Sequence, residues 1–281
     1  MSEWAVLTEE QRRFFDEHGY LIVEDALSAD LVDELREAAL RVQRRYRPDG
    51  VRPGEVFEWR NVLVEDPAFW QLLDYPKTVP LVWQILGWNI QLITSHLVIS
   101  YPPQEETNLG WHQDGGRTVA ELPQPLPRLF IKVAYWLSDT RHPESGAMEI
   151  VPGSHRLLGR PAMQNGKPVG AMGLHVKAGT AVLFENRLWH ARGINRSDQP
   201  RIALFFGYGY RWLRPMDYVM MPAGLLERCN PLQRQLLGAD RTPHGKVLSY
   251  YIPNDNDVPL RSILAPRLAK RSKTQAKKAL T

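Results

Sequence analysis

The stretch from Ile90 to Tyr101 reads IQLITSHLVISY, and its β-branched and aromatic residues predict a strand. Similar short stretches recur downstream at Leu129 to Leu137 (LFIKVAYWL), Ala147 to Val151 (AMEIV), Thr180 to Glu185 (TAVLFE) and Ile202 to Tyr210 (IALFFGYGY). Turn residues separate them, and no helical pattern of useful length lies between residues 90 and 210. Short strands without alternating helices predict an antiparallel jelly roll or barrel and argue against a Rossmann fold.

Helical patterns flank this strand-rich region. Thr8 and Gln11 form a capping-box pattern, and Ser28 is the predicted N-cap of a second helix. Further helices are predicted from Val79 to Leu86 and from Ala223 to Leu237. We therefore expect a mainly β protein with flanking helices in one domain, residues 1–281. Its parts would be a helical N-terminal part (1–89), a β core (90–210), and a C-terminal helical extension with a basic tail (211–281).

Composition narrows the classes of partner. The 281 residues include one cysteine, Cys229, so an internal disulfide and a cysteine-based zinc site are excluded, and we expect a cytoplasmic protein. No signal peptide or long apolar run is visible, so we expect no membrane contact. The net charge is +4, but 266–281 holds six basic residues and no acid, which leaves 29 − 31 = −2 elsewhere. Because no aromatics or apolar face accompany those charges, we expect a solvated tail and no nucleic-acid partner. A monomer and a homodimer both stay open.

Three residues have the spacing of a metal site. His112 and Asp114 form an H-x-D pair, and residues i and i+2 of a strand point to one face. His190 follows 190 − 114 = 76 residues later. Two histidines and one carboxylate form the facial triad, which suits Fe(II) because three positions stay open for a co-substrate and O₂. Arg201 follows His190 at 201 − 190 = 11 residues, and on the neighbouring strand it could grip a carboxylate of a bound diacid.

The sequence resembles the phytanoyl-CoA dioxygenase-like (PhyH) group of Fe(II)- and 2-oxoglutarate-dependent oxygenases. The resemblance runs from Leu7 to Phe206. It rests on FF…HGYLIV at 14–23, WHQD at 111–114, SGAMEIVPGSH at 145–155, AGTAVLF at 178–184, and His190 to Arg201 with its Asn-Arg-Ser.

The resemblance implies a double-stranded β-helix of the jelly-roll, cupin-like type. It implies that His112, Asp114 and His190 are the catalytic, Fe(II)-binding residues and that Arg201 anchors 2-oxoglutarate. With O₂, that co-substrate would be converted to succinate and CO₂ while a small organic molecule is hydroxylated, desaturated or otherwise oxidised, such as a secondary-metabolite or catabolic intermediate. Related halogenases lack the carboxylate ligand, so Asp114 disfavours halogenation. One departure is Arg192, where many relatives carry a serine that helps to bind 2-oxoglutarate.

Six further residues are candidates for binding the co-substrate or the substrate. Thr94 and His96 share one face of the first core strand and are either satisfied interior groups or part of the 2-oxoglutarate pocket. Candidates for the substrate pocket are Arg117, Trp59, Arg60 and Tyr135.

Two other functions stay open. One is a metal-dependent isomerase or lyase that uses the ion as a Lewis acid. The other is a barrel that binds a ligand without catalysis. The Arg201 spacing counts against the isomerase or lyase, because such an enzyme needs no anchor for 2-oxoglutarate.

Overall fold

The computed structural model describes residues 4–105, 109–119, 121–239 and 259–278, without side-chain detail at 117, 118, 259 and 270–278. The helices are α1 Glu9–His18, α2 Ala29–Tyr46, α3 Val79–Leu86, α4 Ala223–Glu227, α5 Pro231–Leu236 and α6 Pro259–Lys278. The strands are β1 Tyr20–Val23, β2 Val56–Arg60, β3 Ile90–Ser100, β4 Phe130–Trp136, β5 Met148–Ile150, β6 Met163–Gln164, β7 Lys167–Pro168, β8 Met172–Leu174, β9 Ala181–Glu185, β10 His190–Arg192 and β11 Arg201–Tyr210.

Nine of the strands form two facing antiparallel sheets, and β6 pairs with β7 in a separate two-stranded sheet. The larger has the order β1-β9-β4-β11-β3-β2, and the smaller has the order β10-β5-β8. A buried cluster joins the sheets: Ala134, Trp136, Val182, Phe184 and Ala203 from the larger, with Met148, Ile150 and Leu174 from the smaller. This is the double-stranded β-helix, so the predicted fold class is confirmed. Among the described residues, no helix is long and apolar enough to cross a membrane.

The outer face of the larger sheet is covered by helices. Leu35 and Ala39 of α2 and Val82 of α3 pack in one cluster with Leu97 of β3 and Val133 of β4. Because strand side chains alternate between faces, every second residue of the larger sheet enters this outer core and the others face the smaller sheet. That alternation decides which side chains can reach a site between the sheets.

The helix caps predicted for α1 and α2 are present in the structure. The capping box between Thr8 and Gln11 is present, and Gly19 ends α1 in the left-handed conformation, φ 81°. Ser28 accepts a hydrogen bond from the backbone N–H of Leu31 at the start of α2.

The structure differs from the sequence prediction in several places, and the short strands β6, β7, β8 and β10 were not among those predicted. The N-terminal part contains a strand, β2, that the helical patterns did not reveal. The single helix predicted from Ala223 to Leu237 is two short helices, because Asn230 caps a new helix that begins at Pro231. The basic C-terminal segment lies in α6, whose Leu260, Leu264 and Leu268 are buried in the outer core. Of these three, Leu268 lies in the predicted tail, so the expectation of a tail that is solvated throughout was wrong at this residue.

Candidate metal centre and active site

Backbone pairing brings the H-x-D segment against β10. His112 and His190 exchange two backbone hydrogen bonds of 3.0 Å, as an isolated antiparallel bridge. The backbone N–H of Asp114 donates to the carbonyl of Asn186 at 2.8 Å. Directly opposite residues of an antiparallel pair present their side chains on the same side, so this pairing places both imidazoles together.

The three side chains converge on one point. One ligand atom from each of His112, Asp114 and His190 lies within 4.8 Å of the others. Asp114 Oδ1 is 3.9 Å from His112 Nε2 and 3.8 Å from His190 Nε2, which leaves room for an ion between them. Such a set of two nitrogens and one oxygen is the donor set that Fe(II) oxygenases use.

Each imidazole is oriented by its second nitrogen. His112 Nδ1 is 2.8 Å from the carbonyl oxygen of Gly110, and His190 Nδ1 is 2.8 Å from that of Leu188. A carbonyl only accepts, so both rings carry the proton on Nδ1 and direct the Nε2 lone pair into the site. This backbone hydrogen bond is the usual partner of a metal-binding histidine, and the residues therefore fit a divalent ion.

The local electrostatics favour the ligand protonation states. Burial alone would raise the pKa of Asp114, but Lys132, whose Nζ donates to Oδ1 at 2.6 Å, and the two histidines lower that pKa to about 2. Burial lowers the pKa of His190 to about 4. Near neutral pH the site thus presents a carboxylate and a neutral imidazole, as metal binding requires.

A cavity of about 400 Å³ opens beside these residues, between the two sheets. Strand register explains its lining. Arg60 of β2, His96 of β3 and Phe205 of β11 lie side by side in one row across the sheet. Glu58 and Val98, which pair with each other, form the next row on the same face. The smaller sheet and the H-x-D segment supply the facing wall. The lining there includes Met148, Gly110, His112, His190 and Arg192.

Arg201 lies deep in this cavity, at the start of β11. It is 3% exposed, its Nε donates to the carbonyl of Gly146 at 3.1 Å, and its guanidinium carbon is 4.5 Å from the Trp136 ring centroid. Its Nη1 is buried without a hydrogen-bond partner. A buried, unsatisfied guanidinium nitrogen is costly, so Arg201 presents a binding position for an anion. Gly146 is in the left-handed conformation, φ 77°, and a Cβ on it would be 3.1 Å from Arg201 Cγ, so a larger residue there would be strained and would press on this side chain.

The other predicted binding residues lie on two different faces of the larger sheet. His96 and Arg60 line the cavity. Thr94 faces the same side, but its hydroxyl donates to Asp217 at 2.6 Å. Trp59 and Tyr135 were wrong as pocket walls, because they occupy an outward-facing row. Trp59 stacks on Tyr46 at 3.6 Å and Tyr135 bonds Thr78 at 2.6 Å. The Arg117 side chain lies outside the described residues.

Sequence reasoning missed several cavity residues, among them Lys132, Glu58 and Phe205. Lys132 could have been found from the sequence, since it is the one charged residue in the apolar strand LFIKVAYWL. It lies two and four residues before Ala134 and Trp136, so its side chain points to the same face of the strand. Glu58 had none, because its strand was not predicted.

The family described as Phytanoyl-CoA dioxygenase (PhyH) matches residues 15–203, about two thirds of the sequence. The chain belongs to the phytanoyl-CoA dioxygenase family. The predicted resemblance is thereby confirmed, and the chain is a non-haem Fe(II)- and 2-oxoglutarate-dependent oxygenase that uses O₂.

Curated relatives cover most of the chain. An uncharacterized protein of Mycobacterium tuberculosis, Rv1501, is 28% identical over 84% of this chain and 89% of its own length. An ectoine dioxygenase of Nocardia farcinica is 26% identical over 72% of this chain and 78% of its own length.

Solved structures show the same fold. HygX from Streptomyces hygroscopicus, with nickel and 2-oxoglutarate bound, has a TM-score of 0.60 at 17% identity over 80% of this chain and 95% of its own. The epimerase SnoN, in complex with Fe³⁺, alpha ketoglutarate and nogalamycin RO, has a TM-score of 0.57 at 19% identity, with coverages of 77% and 90%.

Proposed function

We propose that this PhyH-family enzyme oxidises a C–H bond of a small organic molecule and releases succinate and CO₂. Hydroxylation is the reaction that we propose for this oxidation. The substrate class is a secondary-metabolite or catabolic intermediate, and the compartment is the cytoplasm. His112, Asp114 and His190 hold Fe(II), and Arg201 holds the distal carboxylate of 2-oxoglutarate. The observation that carries the proposal is the convergence of the three ligand atoms within 4.8 Å at a cavity that also contains Arg201.

Bound Fe(II) with 2-oxoglutarate and O₂ supplies the oxidising power for an unactivated C–H bond. The chain contributes orientation and protection. The Nδ1 contacts to Gly110 and Leu188 fix the two imidazoles, and Lys132 keeps Asp114 ionised. The apolar lining, which includes Val98, Met148, Phe184 and Phe205, excludes water from the reacting atoms.

The cavity favours a compact substrate with polar groups. A volume of about 400 Å³ is at the small end of ligand sites and must also accept the co-substrate. Arg60, His96 and Glu58 line the side away from the smaller sheet, within reach of hydroxyl, carbonyl or charged groups. His112, whose side chain is 53% exposed, marks the open side through which substrate reaches the metal.

The test is an anaerobic titration of the purified protein with Fe(II) and then 2-oxoglutarate, followed by visible absorption. A charge-transfer band that needs both additions is expected, because 2-oxoglutarate would chelate the ion. His190→Ala should lack the band, and His142→Ala, at an exposed position, should retain it. His112→Ala and Asp114→Ala should abolish iron-dependent succinate release.

The alternatives give different results. Metal binding without a band that depends on 2-oxoglutarate would contradict the proposal and favour an isomerase or lyase that uses the ion as a Lewis acid. A band without succinate release in any substrate screen would favour a binding protein. With an identified substrate, product mass separates the reactions, because hydroxylation adds one oxygen, desaturation removes two hydrogens and epimerisation changes neither.

A further inference from the structure

A second arginine faces the cavity that contains Arg201. Arg192 lies two residues after His190 on β10, so both side chains leave that strand on the same side. Arg192 and Arg201 both line the cavity, one from the smaller sheet and one from the larger. The wall opposite Arg192 is β2, whose Glu58 is 3.4 Å from Arg192 Nη1.

The two guanidinium groups act on each other. Burial, followed by the positive charge of Arg192, lowers the pKa of Arg201 to about 9, and Glu58 opposes this effect. Like charges that share a poorly solvated cavity repel, and a bound anion relieves that repulsion. Glu58 supplies one carboxylate, and it also lies 3.6 Å from His96 Nε2, so its carboxylate is shared between two neighbouring side chains.

Local packing holds Arg192 on this side of the cavity. Gly193 follows it, and a Cβ there would lie 1.9 Å from the carbonyl oxygen of Ala147. Arg192 itself pairs with Met148 across the ladder between β10 and β5, and Met148 also lines the cavity. Its backbone is therefore fixed by close contact with β5, and the long side chain spans the distance to β2.

We propose that Arg192 is a second cationic contact for the distal carboxylate of 2-oxoglutarate, in addition to Arg201. This inference rests on the proposed function. Glu58 is its internal competitor, which holds Arg192 across the cavity and shares it with the incoming carboxylate. Two guanidiniums that line the same cavity favour a dicarboxylic 2-oxo acid over a monocarboxylic one, because only the former brings a second anion to them.

The test compares two 2-oxo acids on the Fe(II)-loaded protein without O₂, with Kd measured from the charge-transfer band. 2-Oxoglutarate carries the distal carboxylate, and 2-oxopentanoate lacks it. Arg192→Ala should raise Kd for 2-oxoglutarate at least about tenfold, as expected for loss of one charge-assisted contact. Its Kd for 2-oxopentanoate should stay within about twofold of the wild-type value. Arg192→Lys should recover part of the loss, and Glu58→Gln should shift Kd for 2-oxoglutarate in the opposite direction.

Arg141→Ala is the matched control, since Arg141 forms an exposed ion pair with Asp139. Equal weakening of both 2-oxo acids in Arg192→Ala would show a structural role and overturn the inference. So would an unchanged Kd for 2-oxoglutarate in a protein that still gives the band. Absence of the band in the wild-type protein would instead contradict the proposed function itself.

Discussion

Lys132 Nζ lies 2.6 Å from Asp114 Oδ1, and this ion pair links the larger sheet to the H-x-D segment. Both side chains are largely buried, at 14% and 8% exposed. A buried ion pair adds little net stability, but loss of one partner leaves a buried charge without compensation. Lys132 therefore holds a metal ligand in its ionised form and in place.

Lys132→Met should destabilise the metal-free protein by about 3–5 kcal/mol, because the Asp114 carboxylate loses its cation. Adding Asp114→Asn to that variant should recover most of the loss. The measurement is denaturant unfolding of the wild-type protein, both single variants and the double variant at pH 7. Strictly additive losses would show that the two side chains do not interact.

Arg201→Met should weaken binding of 2-oxoglutarate about 100-fold and leave divalent-metal affinity nearly unchanged, because a bidentate charge-assisted contact is lost away from the ligands. Isothermal titration of Mn(II), and then of 2-oxoglutarate on the Mn(II)-loaded protein, measures both constants. A parallel loss of metal affinity would show that Arg201 supports the fold of the site.

His190 makes stability depend on pH in a defined direction. Its pKa is about 4 in the folded chain against the ordinary 6.5, so between these values the unfolded chain binds more protons. The free energy of unfolding of the metal-free protein should therefore fall as pH drops from about 6.5 to about 4, with up to about 1.4 kcal/mol per pH unit from this one group. His190→Asn should show a shallower slope, whereas His142→Asn should keep the wild-type slope. Identical slopes in all three proteins would contradict the assignment.

Gly193→Ala should destabilise the protein and weaken metal binding, since the new Cβ would collide with the Ala147 carbonyl and displace β10. Gly224→Ala is the matched control. Gly224 lies in α4 with nothing near its Cβ position, so alanine there should be neutral or stabilise by up to about 1 kcal/mol. Thermal unfolding and a metal titration compare the two variants, and similar behaviour in both would contradict the steric argument.

The metal residues could be predicted because their spacing needs only local geometry. His112 and Asp114 share a face by i, i+2 alternation, and Arg201 lies at the start of a strand that composition reveals. The predicted strands β3, β4, β5, β9 and β11 lie within a residue or two of their predicted bounds, whereas the three-residue strands β8 and β10 were not predicted. In the structure His112, Asp114, His190 and Arg201 meet at one cavity, and their roles toward Fe(II) and 2-oxoglutarate stay a prediction.

The walls of the cavity could not be predicted in the same way. Trp59 and Tyr135 were chosen as aromatic strand residues, but register places Trp59 and Tyr135 in one cross-sheet row that faces the helices. Register is a long-range property, set by which strands pair and not by composition. Likewise, 266–281 was predicted to be a solvated tail because it has six basic residues and no acid, whereas the burial of Leu268 depends on a surface formed by residues far away in sequence.

The two sheets differ greatly in strand length, and this difference has a dynamic consequence. β3 and β11 have 11 and 10 residues, whereas β10, β5 and β8 have three each. Amide protons of the longer ladder should exchange with solvent only on global unfolding, and those of β10 through smaller local openings. A divalent ion bound by His190, His112 and Asp114 would link β10 to the H-x-D segment. It would therefore stabilise the smaller sheet, whose strands are the shorter ones. It should slow exchange at Ala191 and Arg192 far more than at Leu204, so that part of the rigidity of the active centre is acquired with the metal.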